Sequence, residues 1–180
     1  GVDGDKLQLL HSWSLSIEWQ FYLLWPLFFY VIRRFASTGK TAIIVITLFI
    51  GSTWLSYYLT ITRPSESYYL FSARIFEMLA GASLALVIHR LPKLPMVAAH
   101  ILSLVALLTI AVLSVKYDSD DLYPGINALW VCMSTWLLIL TGQQNAVVSK
   151  LLSIKPLAFL GTLSYSLYLW HWPILAFLRV

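Results

Sequence analysis

Three residues that could take part in acid–base chemistry follow one another at helical spacing near the start of the chain. They are His11, Ser14 and Glu18, three and four positions apart, and residues so spaced lie on nearly the same face of an α-helix. An imidazole, a hydroxyl and a carboxylate in this arrangement form a plausible acid–base site. The same segment also fits an ordinary helix start, in which Ser12 or Ser14 is the cap and Glu18 stabilises the helix dipole.

The helix that carries Glu18 has the composition of a membrane span. From Phe21 to the paired arginines Arg33 and Arg34 the sequence is almost wholly apolar, which is typical of a helix that enters a bilayer. An ionised carboxylate inside such a span costs roughly 2.5–3.5 kcal/mol on insertion scales. We therefore expect Glu18 either to have a partner that offsets this cost or to be used in the chemistry.

The whole chain has the composition of a polytopic membrane protein. Of its 180 residues, 59% are hydrophobic and 11% are charged, and the mean hydropathy is +0.78, whereas soluble domains are about 45–50% apolar and about 25% charged. The net charge of +4 is spread between the apolar segments instead of forming one basic stripe. The sequence therefore predicts membrane lipid as a partner and no nucleic-acid partner.

Cysteine and acidic residues predict neither a disulfide nor a metal site. Cys132 is the single cysteine and cannot form a disulfide within the chain. Asp118, Asp120 and Asp121 lie in one acidic loop, but their spacing is not that of an EF-hand and no downstream glutamate completes one. A solvated acidic loop is the simpler interpretation, and we assign no metal ligands.

The apolar segments predict an all-α fold, a transmembrane bundle of five to six helices that forms a single domain over residues 1–180. Each of the first five segments is long enough, or nearly so, to cross about 30 Å at about 1.5 Å per residue. The last segment is more polar. The predicted spans are 13–32, 41–61, 73–90, 97–115, 126–142 and a sixth segment from about 157.

The charges in the loops predict the orientation of the bundle. One alternate set of loops is purely basic, and the other set is mixed and mostly acidic, so the positive-inside rule places the basic set in the cytoplasm. Residues 1–11 then begin on the non-cytoplasmic side, and Glu18 lies near the outer face. The basic set comprises Arg33, Arg34, Lys40, Arg90, Lys93, Lys150 and Lys155.

Two further polar groups lie inside predicted spans. Arg74 and Glu77 are three apart; they are either a structural ion pair, with Gly81 allowing a close helix contact, or part of the cavity that Glu18 faces. His171 should lie deep in the membrane, where a histidine is either hydrogen-bonded within the packing or moves protons or binds a ligand.

Four segments resemble the acyltransferase 3 family of integral membrane O-acyltransferases, the O-antigen acetylase-like group. Residues 11–26, His-Ser-Trp-Ser-Leu-Ser-Ile-Glu-Trp-Gln-Phe-Tyr-Leu-Leu-Trp-Pro, are similar to the family signature His-Thr-Trp-Ser-Leu-x-Val-Glu-x-Gln-Phe-Tyr. Three more matches follow in the family's order. They are Ala73-Arg74 to Glu77 and Gly81, then Tyr123-Pro124-Gly125, and then Gly161 to Pro173 with its Leu-Ser-Tyr-Ser-Leu-Tyr-Leu-Trp-His-Trp-Pro run.

The resemblance implies a multi-pass enzyme of the bacterial inner membrane. Such enzymes take an acyl group, usually acetyl, from cytoplasmic acyl-CoA as the donor substrate, with no bound cofactor, and deliver it to a hydroxyl of a glycan or lipid-linked sugar. Members modify lipopolysaccharide O-antigen, exopolysaccharide, peptidoglycan, Nod factors or macrolides, and some carry a soluble esterase-like domain after the membrane domain.

The resemblance also implies site residues in this chain. Glu18 and His11 would be catalytic, although the family's first helix, whose histidine follows an arginine by eleven residues, has no counterpart here. The chain is therefore expected to be the later part of the membrane domain and inactive in isolation. Cavity or substrate positions would be Ser14, Arg74, Glu77, Tyr123, Ser164, Tyr165, Tyr168 and His171.

A transporter or flippase is the main alternative interpretation. In that case Glu18 and His171 would form a proton relay. A transporter should show internal sequence symmetry between its halves, and we find none across the predicted spans. A non-catalytic scaffold does not account for the polar residues at the outer ends of the first and third spans.

Overall fold

The computed structural model describes residues 13–118 and 122–178, and within this part α-helices and one short 3₁₀ helix are the only regular secondary structure. Among the described residues, five helices are long and apolar enough to cross a membrane, namely α1, α2, α4 with its 3₁₀ extension, α5 and α6. The predicted all-α transmembrane bundle is thus confirmed. The helices are α1 (Trp13–Phe35), α2 (Thr38–Thr62), α3 (Pro64–Ser67), α4 (Phe71–Val87), the 3₁₀ helix Ile88–Arg90, α5 (Met96–Lys116), α6 (Gly125–Gly142), α7 (Val147–Leu152) and α8 (Lys155–Leu178).

Prolines mark the beginnings of three of these helices. Pro64 is the first residue of α3, and Pro95 and Pro124 immediately precede α5 and α6. A proline costs no hydrogen bond there, because the first N–H groups of a helix have no intrahelical acceptor. With the 3₁₀ turn counted as part of α4, the five long helices begin and end within three residues of the predicted spans; the largest differences are at the end of α1 and the start of α2.

The helices pack through small side chains. α2 packs most extensively against α4, α6 contacts both of them, α5 packs on α6, and α1 lies against α4 and α2. Alanines and hydroxyl residues fill these contacts, which lets helices approach closely in a membrane where the large apolar side chains face lipid. The buried small residues include Ala42, Ala73, Ala80, Ala99, Ala106, Ala128, Thr41, Ser56, Thr60, Ser103 and Thr141.

The two ends of the bundle differ in chemistry. At one end Trp13 contacts Tyr68 and Tyr69, and Tyr68 contacts Tyr123; we call these four residues the aromatic end.

At the opposite end, which we call the basic end, lie the seven basic residues named above. There the Arg33 guanidinium donates to the Thr38 hydroxyl at 2.7 Å. The Arg90 guanidinium lies next to Gly39, because its Nη1 atom would be 4.0 Å from a Cβ added to that glycine. The alternation of loops predicted from the sequence is therefore present in the fold.

Candidate functional site

An ion pair occupies the first turns of α4, just below the aromatic end. The Arg74 Nη1 atom lies 3.2 Å from Glu77 Oε1, as the three-residue spacing predicts. The Arg74 and Glu77 side chains are only 11% and 23% exposed. Each charge is thus compensated by the other in a setting where an unpaired charge would be costly.

Three aromatic rings enclose the Arg74 guanidinium. Its central carbon lies 4.9 Å from the centre of the Trp13 ring, 5.1 Å from that of Tyr68 and 4.8 Å from that of Tyr123. Cation–π contacts of this kind contribute about 0.5–1 kcal/mol when exposed and about 2 kcal/mol when desolvated. Arg74 therefore joins the start of α1, the turn before α4 and the loop before α6.

Sequence spacing does not identify the rings that enclose Arg74. The family resemblance implies that Tyr123 is a cavity residue, and the sequence does not identify Trp13 or Tyr68 as site residues. An arginine at the end of a span beside tyrosine-rich loops was the available signal. Choosing its partners requires the tertiary fold, because the rings come from three separate segments of the chain.

The loop before α6 holds Tyr123 in place over Arg74. The Asn127 side-chain amide donates to the Leu122 carbonyl at 2.9 Å, and the Tyr117 hydroxyl donates to the Asn127 side-chain oxygen at 3.2 Å. Burial raises the pKa of Tyr123, and the nearby Glu77 carboxylate raises it further, while Arg74 acts in the opposite direction. Tyr123 therefore remains a protonated phenol at neutral pH.

Gly125, the first residue of α6, is the position where this loop is least tolerant of a side chain. Its φ is +42°, and a Cβ there would lie 3.2 Å from the Thr60 hydroxyl oxygen. Left-handed backbone costs other residues about 1–2 kcal/mol, so Gly125→Ala should lower the free energy of unfolding by at least about this amount.

The measurement is the thermal unfolding midpoint of the complete protein in detergent. Gly51→Ala is the matched control, because no atom lies within 4 Å of the Cβ that would be added there. Equal midpoints for the two variants would contradict the assignment of strain to Gly125.

The first turns of α1 have one buried apolar face and one half-buried polar face. Ile17 and Phe21 are buried in the bundle, whereas Ser14 and Glu18, four apart, share a neighbouring face. The hydroxyl groups of Ser14 and Tyr168 are hydrogen-bonded at 2.6 Å. Glu18 is half-buried and forms no hydrogen bond or ion pair within residues 13–118 and 122–178. His11, predicted to extend this row, lies outside the described residues.

Of the four polar residues predicted as site residues on α8, Tyr168 contacts α1. Tyr168 is half-buried against Ser14, and the His171 Nδ1 atom lies 2.6 Å from the Tyr168 carbonyl oxygen, to which it can donate. Ser164 donates to the Gly161 carbonyl at 2.8 Å within the same helix. Ser164 and Tyr165 are exposed in the described part of the structure, and neither has a hydrogen bond or ion pair with Arg74 or Glu77 there.

A small cavity of about 150 Å³ lies between α4 and α6 beside the ion pair. Glu77 lines it together with Gly81, Cys132 and Thr135. Glu77 therefore contacts Arg74 and also borders open space inside the bundle. Trp13 contacts Arg74, and the next residue, Ser14, is hydrogen-bonded to Tyr168. The two contacts therefore involve the same turn of α1.

Comparison with known proteins gives the family of this chain. A family model described as an acyltransferase domain matches residues 4–180. The chain belongs to this acyltransferase family. The resemblance seen in residues 11–26, 73–81, 123–125 and 161–173 is thereby confirmed.

Two relatives of this acyltransferase-family chain illustrate the match. The peptidoglycan O-acetyltransferase OatA of Listeria monocytogenes is 36% identical over 184 residues, which cover 96% of this chain and 29% of the relative. The O-acetyltransferase OatA of Staphylococcus aureus is 30% identical over 182 residues, which cover 95% of this chain and 30% of the relative. The chain thus spans about three tenths of the length of these relatives. No solved structure matches it.

The site of this acyltransferase-family chain combines a balanced ion pair with groups that can carry protons. The Arg74–Glu77 pair adds no net charge, and three rings enclose Arg74. These features are typical of an ion pair that stabilises the fold. Glu18, Ser14 and Tyr168 supply a carboxylate and two hydroxyls on the neighbouring face of α1. Such groups can accept or pass on a proton from a hydroxyl acceptor.

Proposed function

We propose that this chain is part of a membrane O-acyltransferase that moves an acetyl group from acyl-CoA to a hydroxyl of a cell-surface glycan. The family match over residues 4–180 supports acyl transfer, and the OatA relatives are named as O-acetyltransferases, one of them of peptidoglycan. The observation that carries the proposal is the hydrogen bond between Ser14 and Tyr168 on the turn of α1 whose neighbouring Trp13 contacts Arg74, with Glu18 one turn further along the same helix face.

The charge distribution supports a direction for the transfer. The basic end lies in the cytoplasm by the positive-inside rule, where it meets acyl-CoA, whose phosphates carry negative charge. The aromatic end then lies outside the cytoplasmic membrane of a bacterium, where the glycan acceptor is found.

Glu18 is the base in this proposal. It accepts the proton of the acceptor hydroxyl as the hydroxyl oxygen attacks the acetyl carbonyl of the thioester. The carbon–oxygen ester bond forms, the carbon–sulfur bond breaks, and CoA leaves as a thiolate that takes up the proton. A positioned base of this kind contributes about 10²- to 10⁴-fold to the rate. Arg74 is enclosed by Glu77 and three rings, so we assign it to holding the aromatic end together and not to contact with the acetyl group.

Labelled acetyl-CoA tests the proposal. Membranes that carry the complete protein are incubated with acetyl-labelled CoA thioester and peptidoglycan glycan strands. We expect label on the glycan that mild base releases, since O-acetyl esters are cleaved by base and amides are not. Glycan labelling no greater than with membranes that lack the protein would overturn the proposed function.

A further inference from the structure

We propose that Trp13, Tyr68 and Tyr69 form a binding subsite for one neutral pyranose ring of the acceptor glycan. This inference rests on the proposed function and assigns its acceptor end to particular side chains. We call these three residues the aromatic corner. Their arrangement, their anchoring and the charges around them each support the assignment.

The aromatic corner is a set of rings that meet at steep angles. The Trp13 and Tyr69 ring centres are 5.3 Å apart with planes at 77°, and those of Tyr68 and Tyr69 are 5.0 Å apart at 75°. Tyr68 is 38% exposed and Tyr69 is 51% exposed. A ligand with one apolar face can therefore stack on the exposed Tyr69 ring while its edge meets a neighbouring ring.

Contacts within the protein hold the Trp13 and Tyr68 rings of the corner in place. The Arg74 guanidinium lies against both Trp13 and Tyr68, and its Nε atom donates to the Tyr68 carbonyl at 3.4 Å. Tyr69 packs on both of these anchored rings. A preorganised surface loses little conformational freedom on binding, which favours affinity for a small ligand.

The chemistry of the corner matches a sugar ring. The face of an aromatic ring carries negative electrostatic potential, and the C–H face of a pyranose is polarised positive by the ring and hydroxyl oxygens. The tyrosine hydroxyls at the rim can donate to or accept from sugar hydroxyls. An apolar stacking face with a few polar groups at its edge is the usual design of a small-ligand site.

The charges of the segment that carries Tyr68 and Tyr69 are balanced, which favours a neutral ligand over an anionic one at these two rings. The segment 63–77 contains two cations and two carboxylates. Arg63 pairs with Glu66 at 3.4 Å, and Arg74 pairs with Glu77 at 3.2 Å. The segment thus presents no net charge for a phosphate, in contrast to the basic end.

An interfacial aromatic belt is the competing explanation, and α2 offers a matched control. Trp54 and Tyr58 are also a tryptophan–tyrosine pair, 67% and 52% exposed, but their rings are nearly parallel, with centres 6.0 Å apart. They present no corner and do not touch Arg74 in the described structure. A belt function would be shared by Tyr58 and Tyr69, whereas a sugar subsite would depend on Tyr69 alone.

The test compares Tyr69→Ala, Tyr69→Phe and Tyr58→Ala in the complete protein with a soluble hexosamine oligosaccharide as acceptor. We expect Tyr69→Ala to raise the KM for the oligosaccharide about three- to tenfold, the size of one lost stacking contact, with kcat within about twofold. Tyr69→Phe keeps the stacking face and should retain most of the affinity. Tyr58→Ala should leave KM unchanged.

A KM that is unchanged in Tyr69→Ala, or that rises equally in Tyr58→Ala, would overturn the subsite. Binding of the same oligosaccharide, followed by isothermal titration, separates this inference from the proposed function. Absence of acetylation would overturn the function, while weaker binding in Tyr69→Ala than in Tyr58→Ala would still support the subsite. Equal binding by the two variants would overturn it.

Discussion

We expect Glu18→Gln to lower acetyl transfer about 10²- to 10⁴-fold, the range for removal of a positioned general base. The glutamine side chain is nearly the same size, so packing of α1 is preserved, but an amide cannot accept the proton of the acceptor hydroxyl. Glu18 is suited to this role because its half-buried carboxylate is not engaged by any residue within 13–118 and 122–178. The measurement is kcat/KM for glycan acetylation in membranes with matched protein levels.

Glu66→Gln is the control for the loss of a carboxylate at the same end of the bundle. Glu66 is 62% exposed at its side chain and already pairs with Arg63, so its removal should change kcat/KM little. Turnover by Glu18→Gln equal to that of the unmodified protein would exclude Glu18 as the base.

Arg74→Met is expected to destabilise the protein by about 3–5 kcal/mol, the usual cost of removing one partner from a buried ion pair. The substitution leaves the Glu77 charge uncompensated at 23% side-chain exposure, and it also removes the contact between Trp13, Tyr68 and Tyr123. The thermal unfolding midpoint in detergent should fall accordingly.

The double variant Arg74→Met with Glu77→Leu separates the two contributions. Because both charges are then removed, it should regain most of the stability lost in Arg74→Met. The aromatic contacts to the guanidinium remain absent in the double variant. Any stability that the double variant does not regain therefore measures the contribution of the three ring contacts. A double variant no more stable than Arg74→Met would contradict the account of the ion pair.

Much of the fold follows from the sequence because the signals are local. Apolar runs near twenty residues predict α1, α2, α4, α5 and α6, and basic loops predict which helix ends lie together. The Arg74–Glu77 pair follows from its spacing on one helix. Each of these inferences requires only the period of an α-helix and the thickness of a bilayer.

The arrangement of the site does not follow from local signals. Ser14 and Tyr168 are 154 positions apart, and the local sequence around each residue does not predict that the two are in contact. The enclosure of Arg74 likewise depends on how α1 and the loop before α6 approach α4. Such contacts are set by the packing of small residues between helices, which side-chain spacing alone does not determine.

Sealed inside-out vesicles can test whether acetyl moves from a donor at the basic end to a glycan at the aromatic end. Acetyl-labelled CoA is added outside, facing the cytoplasmic surface, and the hexosamine oligosaccharide is trapped inside. We predict base-labile label on the trapped oligosaccharide, and little label in vesicles carrying Glu18→Gln. Label that appears only when the oligosaccharide is placed outside with the donor would contradict the claim.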